Sequence, residues 1–315
     1  MSMARLPSPH APGEPDWTLA IRSLAQVIVV TVLLFMAGGV ALSMITDARR
    51  SNQADERFAV VTGTAAKIAN LDHHFHGLAH DSDGWAEHLT LVGEPLTASD
   101  GITEDVPSQR LTYEITKNPF GAIDAIGAAP IGDSALDHSL MAIGERDQSQ
   151  DAARRQTRKR LEVLPAGMNA VALVESDHPL TATQVADFTG RDDYCGMTIY
   201  VYQPFGGTNE NAISWNTRMA PFEDRPKEHT VEPECAKEPD EALAAFRSWA
   251  AKLRPEDDAG LRDLSLSRAR LTEAAGNGLA YAFVAESWRV GDLRALLDDS
   301  RVRSIRVTDV AFNLS

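Results

Sequence analysis

Ala170-Val171-Ala172-Leu173-Val174-Glu175 is a short apolar run rich in β-branched residues, and it decides the fold class of this chain. It is followed by Thr181 to Gly190, where Val185 and Phe188 fall on one side of a helical wheel. Met197 to Phe205 comes next, with Ile199, Val201 and Gln203 alternating against Tyr200 and Tyr202. The order is strand, helix, strand. It recurs downstream: Leu279 to Ala285 reads as a strand, and Leu293, Leu296 and Leu297 share one helix face. In Val302 to Val310, Ile305 and Val307 alternate with Arg306 and Thr308. Two such units predict a small layered α+β domain. Between them, Asp240 to Arg254 places Leu243, Phe246, Ala250 and Leu253 at helical spacing, with Pro239 and Pro255 outside its ends. That stripe is expected to pack on the sheet.

Upstream of this block, Ser149 to Arg160 reads as a charged helix, and Leu89 to Val92 and Arg110 to Thr116 as short strands. Residues 48 to 71 lack proline and carry Phe58, Val61, Ala65, Ile68 and Leu71 at intervals of three and four, which predicts a helix. Further back, no charge occurs between Arg22 and Asp47. A helix over that run is about 36 Å long against a hydrocarbon core of about 30 Å. A single crossing, with the membrane contacted through residues 24–45, is the first reading. A cleaved signal peptide is the rival, because Ala41-Leu42-Ser43 offers small residues at a cleavage site.

The flanking charges nearly balance, with Arg5 and Arg22 before the run and Arg49, Arg50 and Arg57 after it. The leading tail, with Pro7, Pro9, Pro12, Gly13 and Pro15, cannot build a core. The expected organisation is a disordered cytoplasmic tail over 1–22, a transmembrane helix over 23–46, a membrane-proximal extracytoplasmic region over 47–160 and the α+β domain over 161–315. A cell-membrane location with the C-terminal region outside follows from that assignment.

Composition narrows the function. The 315 residues carry 30 Lys plus Arg against 45 Asp plus Glu, a formal charge of −15. A phosphate-tracking surface is therefore disfavoured, and nucleic acid is not an expected partner. Two cysteines, Cys195 and Cys235, are too few for a zinc ribbon; in an oxidising compartment they are the smallest set able to form a disulfide.

Several constellations carry chemistry in principle. Five of nine histidines fall within residues 73–88, among Asp72, Asp81, Asp83 and Glu87. On a helix, His73, His76 and His80 would share a face and could ligate zinc or copper, but Gly77 and Gly84 weaken such a helix and no His-Glu-x-x-His motif is present. A polar loop is the simpler expectation, with no metal and no other cofactor. Gly132-Asp133-Ser134 has the look of a lipase nucleophile block, yet His138, His178 and His229 sit in no companion motif, so it reads as a turn. Gly206-Gly207 lacks the following Lys and Ser or Thr of a phosphate loop. Arg154, Arg155, Arg158, Lys159 and Arg160 form a basic cluster, either a solvated face tethered to acidic neighbours or a contact for anionic lipid or polymer. Tyr200, Tyr202, Phe205 and Trp215 are candidates for an exposed partner surface, although core packing accounts for the tyrosines equally well.

From residue 160 the order of features resembles the C-terminal domain of bacterial sigma factor regulators, single-pass proteins with extracytoplasmic domains. The residues that carry the likeness are Ala170 to Glu175, Pro179-Leu180-Thr181, Ile199-Tyr200-Val201-Tyr202, Ala245-Phe246, Ala280-Tyr281-Ala282-Phe283-Val284 and Asp292 to Leu297. Leu111-Thr112-Tyr113-Glu114 looks like part of the family's preceding segment. The resemblance covers about half the chain and implies structure rather than catalytic residues. A regulator that holds a sigma factor needs a folded cytoplasmic segment, and the tail of about 20 residues does not supply one. The expected function is thus a membrane-anchored sensing or regulatory protein, anti-sigma-factor-like and not an enzyme, working through an envelope or regulatory protein partner. A metal-assisted envelope hydrolase using the His73 to His80 cluster, and a structural scaffold of an envelope complex, are the alternatives.

Overall fold

The computed structural model describes residues 17–49, 52–82, 86–98, 111–118, 120, 122–126, 134–144, 149–189, 198–205, 210–216 and 239–312. The chain divides into two units, Met1–Asn52 and Gln53–Ser315. The first contains α1 (Trp17–Arg49), a 33-residue helix in which Ile21–Gly39 has a mean hydropathy of 2.0 and is exposed throughout. A polar group in that run is satisfied locally, since the Thr31 hydroxyl donates to the Val27 carbonyl at 2.8 Å. By length and composition this helix can cross a bilayer or serve as a signal sequence.

The second unit begins with α2 (Asn52–Ala69). The expected apolar positions Phe58, Val61, Ala65, Ile68 and Leu71 are all buried, and so are Thr62, Thr64 and Lys67 on its other sides. The helix is therefore a central element rather than a half-buried one. It is followed by an antiparallel meander of β1 (His73–Ser82), β2 (Glu87–Pro95), β3 (Leu111–Lys117) and β4 (Ile123–Ile126), paired in chain order. The period of two is plain here: Leu89 and Leu91 of β2 and Tyr113 and Ile115 of β3 are buried, while Thr112 and Glu114 face outward.

Two helices then lead into the larger sheet. α3 (Ala135–Met141) is capped by Ser134, whose Oγ accepts the Asp137 N–H at 3.0 Å, and α4 (Gln150–Glu162) by Ser149. The remaining elements are β5 (Met168–Thr181), α5 (Ala182–Thr189), β6 (Thr198–Gln203), β7 (Ile213–Trp215), α6 (Pro239–Ala251), α7 (Asp258–Asp263), α8 (Arg268–Asn277), β8 (Leu279–Arg289), α9 (Val290–Leu296) and β9 (Val302–Phe312). The five strands lie in the order β7-β6-β8-β5-β9, with every neighbouring pair antiparallel.

Both expected strand-helix-strand units are present, and they interlock. β8 lies between β5 and β6, and β5 lies between β8 and β9, the split β-α-β arrangement. An α+β architecture is thus what the chain adopts. β5 is buried without alternation from Met168 to Val174, and apolar from Ala170 to Val174, because both of its faces are covered. It runs on to Thr181, beyond the expected end at Glu175, because its pairing with β8 resumes at Leu180 and Thr181 after a break past Glu175. That gap accommodates Pro179, which has no N–H to give. The boundary expected at 160/161 falls inside α4, which continues to Glu162, and buried residues of both sheets belong to one hydrophobic cluster.

The four aromatic residues considered as an exposed partner surface are core instead. Tyr200, Tyr202 and Trp215 are buried, and Phe205 is packed against the core. The stripe of α6 covers them as expected: Phe246 stacks on Tyr202 with ring centroids 5.4 Å apart, and Trp215 lies 5.1 Å from Phe246 and 5.7 Å from Trp249. The aromatic alternation of β6 therefore marks the face that receives a helix. α8 ends at Gly278, which has φ +59°, a left-handed conformation that glycine adopts without strain, and a Cβ there would also have to displace the tips of Leu243 and Arg247 of α6.

Candidate functional site

The histidine-rich stretch is neither helix nor loop but the edge strand β1, so the helical face shared by His73, His76 and His80 does not form. Successive side chains on a strand point to opposite faces. His73 Nδ1 lies 2.8 Å from Asp72, whereas His74 Nε2 lies 2.6 Å from Glu286 Oε1 on β8. The register shifts between His76 and Leu78, a bulge at Gly77 that further breaks the spacing. The side chains of His76 and His80 lie outside the described residues. Among the described residues, no group of three or more His, Cys, Asp or Glu side chains could hold a metal ion.

Ser134 also lies at this corner. Burial opposes ionisation of Asp72, but hydrogen bonds from His73 and Ser134 and the charge of His73 outweigh it and hold the carboxyl below its ordinary range. A carboxylate that bonds both serine and histidine ties them down, whereas a nucleophile needs the histidine between serine and acid. Ser134 is a helix cap, as the turn reading implies.

A second polar constellation, not singled out in the sequence, lies where α4 and the end of α3 meet the outer strand β9. Glu175 on β5 has a side chain only 4% exposed; its Oε1 accepts the Gly144 N–H at 3.0 Å and its Oε2 accepts the Ser304 hydroxyl at 2.9 Å. Arg306 Nη2 lies 3.3 Å from Oε2, and Arg303 Nε lies 3.6 Å from Oε1. Arg306 also donates to the carbonyls of Ser139 and Ala142, at 2.9 and 3.0 Å, which holds its guanidinium at the mouth of α3. These groups, with Gln156, Thr157 and Arg160 of α4, line a cleft of about 270 Å³.

The sequence signal for this site is Glu175 itself, a carboxylate directly after the apolar run of a strand buried on both faces, where an unpaired charge is not tolerated. Its arginine partners lie about 130 residues away, which no local pattern reveals. The basic cluster of α4 was visible, and the structure divides it. Arg154 donates to the Leu297 carbonyl and Arg158 to Asp298 at 2.8 Å, both just past α9, so these two act as a tether. Arg160 turns to the cleft. Cys195, Cys235 and Gly206-Gly207 lie outside the described residues.

No family model, curated protein or solved structure matches this chain.

Proposed function

We propose that this chain is a membrane-anchored regulatory or sensing protein whose α+β unit stands on the extracytoplasmic side and acts through an envelope or regulatory protein partner. The observation that carries the reading is α1, apolar on every side and exposed throughout Ile21–Gly39. A soluble chain does not leave such a surface in water. The flanking charges nearly balance, with Arg5 and Arg22 before the span and Arg49, Arg50 and Arg57 after it, so the orientation rests on the leading tail, whose composition cannot build a core. The resemblance to sigma factor regulators supports signalling over scaffolding. The strand geometry of His73 and His74 withdraws the helical ligand set on which the hydrolase alternative rested. In the same reading Cys195 and Cys235 form a disulfide.

Protease added to intact spheroplasts should remove a C-terminal tag, and N-terminal sequencing of the membrane fraction should find residues before Ala41 retained. Full protection of the tag reverses the topology, and a mature N-terminus near Met44 replaces the anchor by a signal peptide. Crosslinking in intact membranes from Arg155, on the exposed side of α4, should yield a discrete protein adduct related to signalling. Adducts confined to wall-assembly proteins would favour the scaffold.

A further inference from the structure

We infer that the turn between β3 and β4 dips Phe120 into the surface of the lipid bilayer. The inference rests on the membrane-anchored reading and adds to it the part of the second unit that meets lipid. Phe120 is 95% exposed, more than any other large apolar side chain of that unit among the described residues. One exposed ring alone carries no meaning. The turn beneath it and its place in the unit supply the meaning. Asn118 Oδ1 accepts the N–H groups of Phe120 and Ala122, both at 3.0 Å, and the Asn118 N–H donates to the Ala122 carbonyl at 2.9 Å. Pro119 has no N–H to satisfy. Backbone donors bonded within the turn need no water, which is the condition for entering an apolar phase. The side-chain bonds of Asn118 also fix the turn, so the ring is held outward at little further cost in conformational freedom.

Residues 118–122 carry no charge. Lys117, directly behind them, holds its ammonium 3.2 Å from Glu87 and 5.0 Å from the centre of the Phe58 ring, and Asp124 is set one pair further back, opposite Thr116. The tip therefore enters an apolar phase without stripping water from a bare charge. The contact of Lys117 with Phe58 also tells which end of the unit this is. Phe58 lies in the second turn of α2, the helix by which the chain arrives from α1, so the tip and the entry of the chain share one end. β9 meets the meander at the other end: β2 runs from Glu87, paired with Lys117, to Pro95, about 25 Å away at its rise per residue. Just past Pro95, Ala98 donates to Asp309 of β9, the strand that carries the exposed Phe312. With a formal charge of −15 the chain is unsuited to an anionic surface, so an uncharged apolar tip is the contact that fits. A single inserted ring binds a bilayer weakly, but a unit tethered to that bilayer works at an effective concentration of about millimolar.

The test is photo-crosslinking of the full chain in phosphatidylcholine nanodiscs, with p-benzoylphenylalanine in place of Phe120 or of Phe312 and lipid adducts counted by mass spectrometry. Position 120 should give about tenfold more lipid adduct than position 312, the yield expected of a ring inside the headgroup boundary against one outside it. Added phosphatidylglycerol or raised salt should leave that yield unchanged, because the tip carries no charge. Phe120→Ser should leave the thermal midpoint in detergent unchanged, since the ring is exposed in the folded unit. Equal lipid adducts at the two positions, adducts at 120 confined to protein, a yield that needs phosphatidylglycerol and falls with salt, or a lowered midpoint in Phe120→Ser would overturn the proposal. A mature N-terminus near Met44 in native membranes removes the anchor and this contact together. A retained anchor without lipid adducts at position 120 removes this contact alone.

Discussion

His74 Nε2 lies 2.6 Å from Glu286 Oε1, and this contact ties the edge strand of the four-stranded meander to β8, inside the five-stranded sheet. Glu286 is placed for it by a bulge: β8 slips against β5 between Ala170 and Ala172, and Ser287 takes φ +56°. A positive φ at a non-glycine residue costs about 1–3 kcal/mol, so the bulge persists only because its surroundings hold it. A double-mutant cycle of His74→Ala and Glu286→Gln should give a coupling of about 1–3 kcal/mol near neutral pH, the range for a hydrogen bond to a charged group. Additive losses would show that the contact does not join the two sheets energetically.

The corner at Asp72 predicts an acid dependence of known sign. Its folded carboxyl titrates below the ordinary value of 3.8, with burial opposing and the His73 and Ser134 contacts prevailing. The stabilisation is therefore complete above the unfolded value and is lost as pH falls through the folded one. Urea unfolding should show the wild type more stable than Asp72→Asn at about pH 5, and the gap should close as pH falls below about pH 4. A gap that widens on acidification would refute the assignment.

Phe246 is completely buried between Tyr202, Trp215 and Trp249. Phe246→Ala should destabilise by about 3–5 kcal/mol, as deletion of a core aromatic does. Phe246→Leu should cost well under half of that, because it keeps most of the apolar volume. Thermal unfolding of the two variants checks the ratio; similar small losses would mean that α6 does not depend on this stack.

For Cys195 and Cys235 the expectation is one disulfide closing a loop of about 40 residues, worth roughly 4 kcal/mol in the chain-entropy treatment, less native strain. Non-reducing mass spectrometry of protein from native membranes should show both thiols protected from alkylation and one linked peptide pair. Free alkylation of both without reductant removes the bond and one support for an external location.

Where burial imposes a repeat, the elements were legible. Leu243, Phe246, Ala250 and Leu253 announced α6, and Leu293 and Leu297 announced α9, because one face of each meets the core. β1 was hidden: its ten residues include four histidines and a bulge glycine, and an edge strand needs no apolar alternation to pair. The aromatics of β6 showed the opposite difficulty. Their pattern was visible, but exposure and burial of Tyr200 and Tyr202 differ only in whether α6 folds back over them, a tertiary fact. The cleft was the least legible feature, since Glu175, Arg160 and Arg303 meet through three elements brought together only by the interlocked sheet.

That interlocking sets a timetable for synthesis. β5 is finished at Thr181, yet both strands that flank it, β8 and β9, come from residues 279–312. A ribosome adding about 5–20 residues per second leaves this apolar strand without either neighbour for roughly 5–20 seconds. Over that interval the sheet cannot begin from its centre. Until residues 279–312 have been made, Ala170 to Val174 have neither of the strands that flank them in the finished sheet.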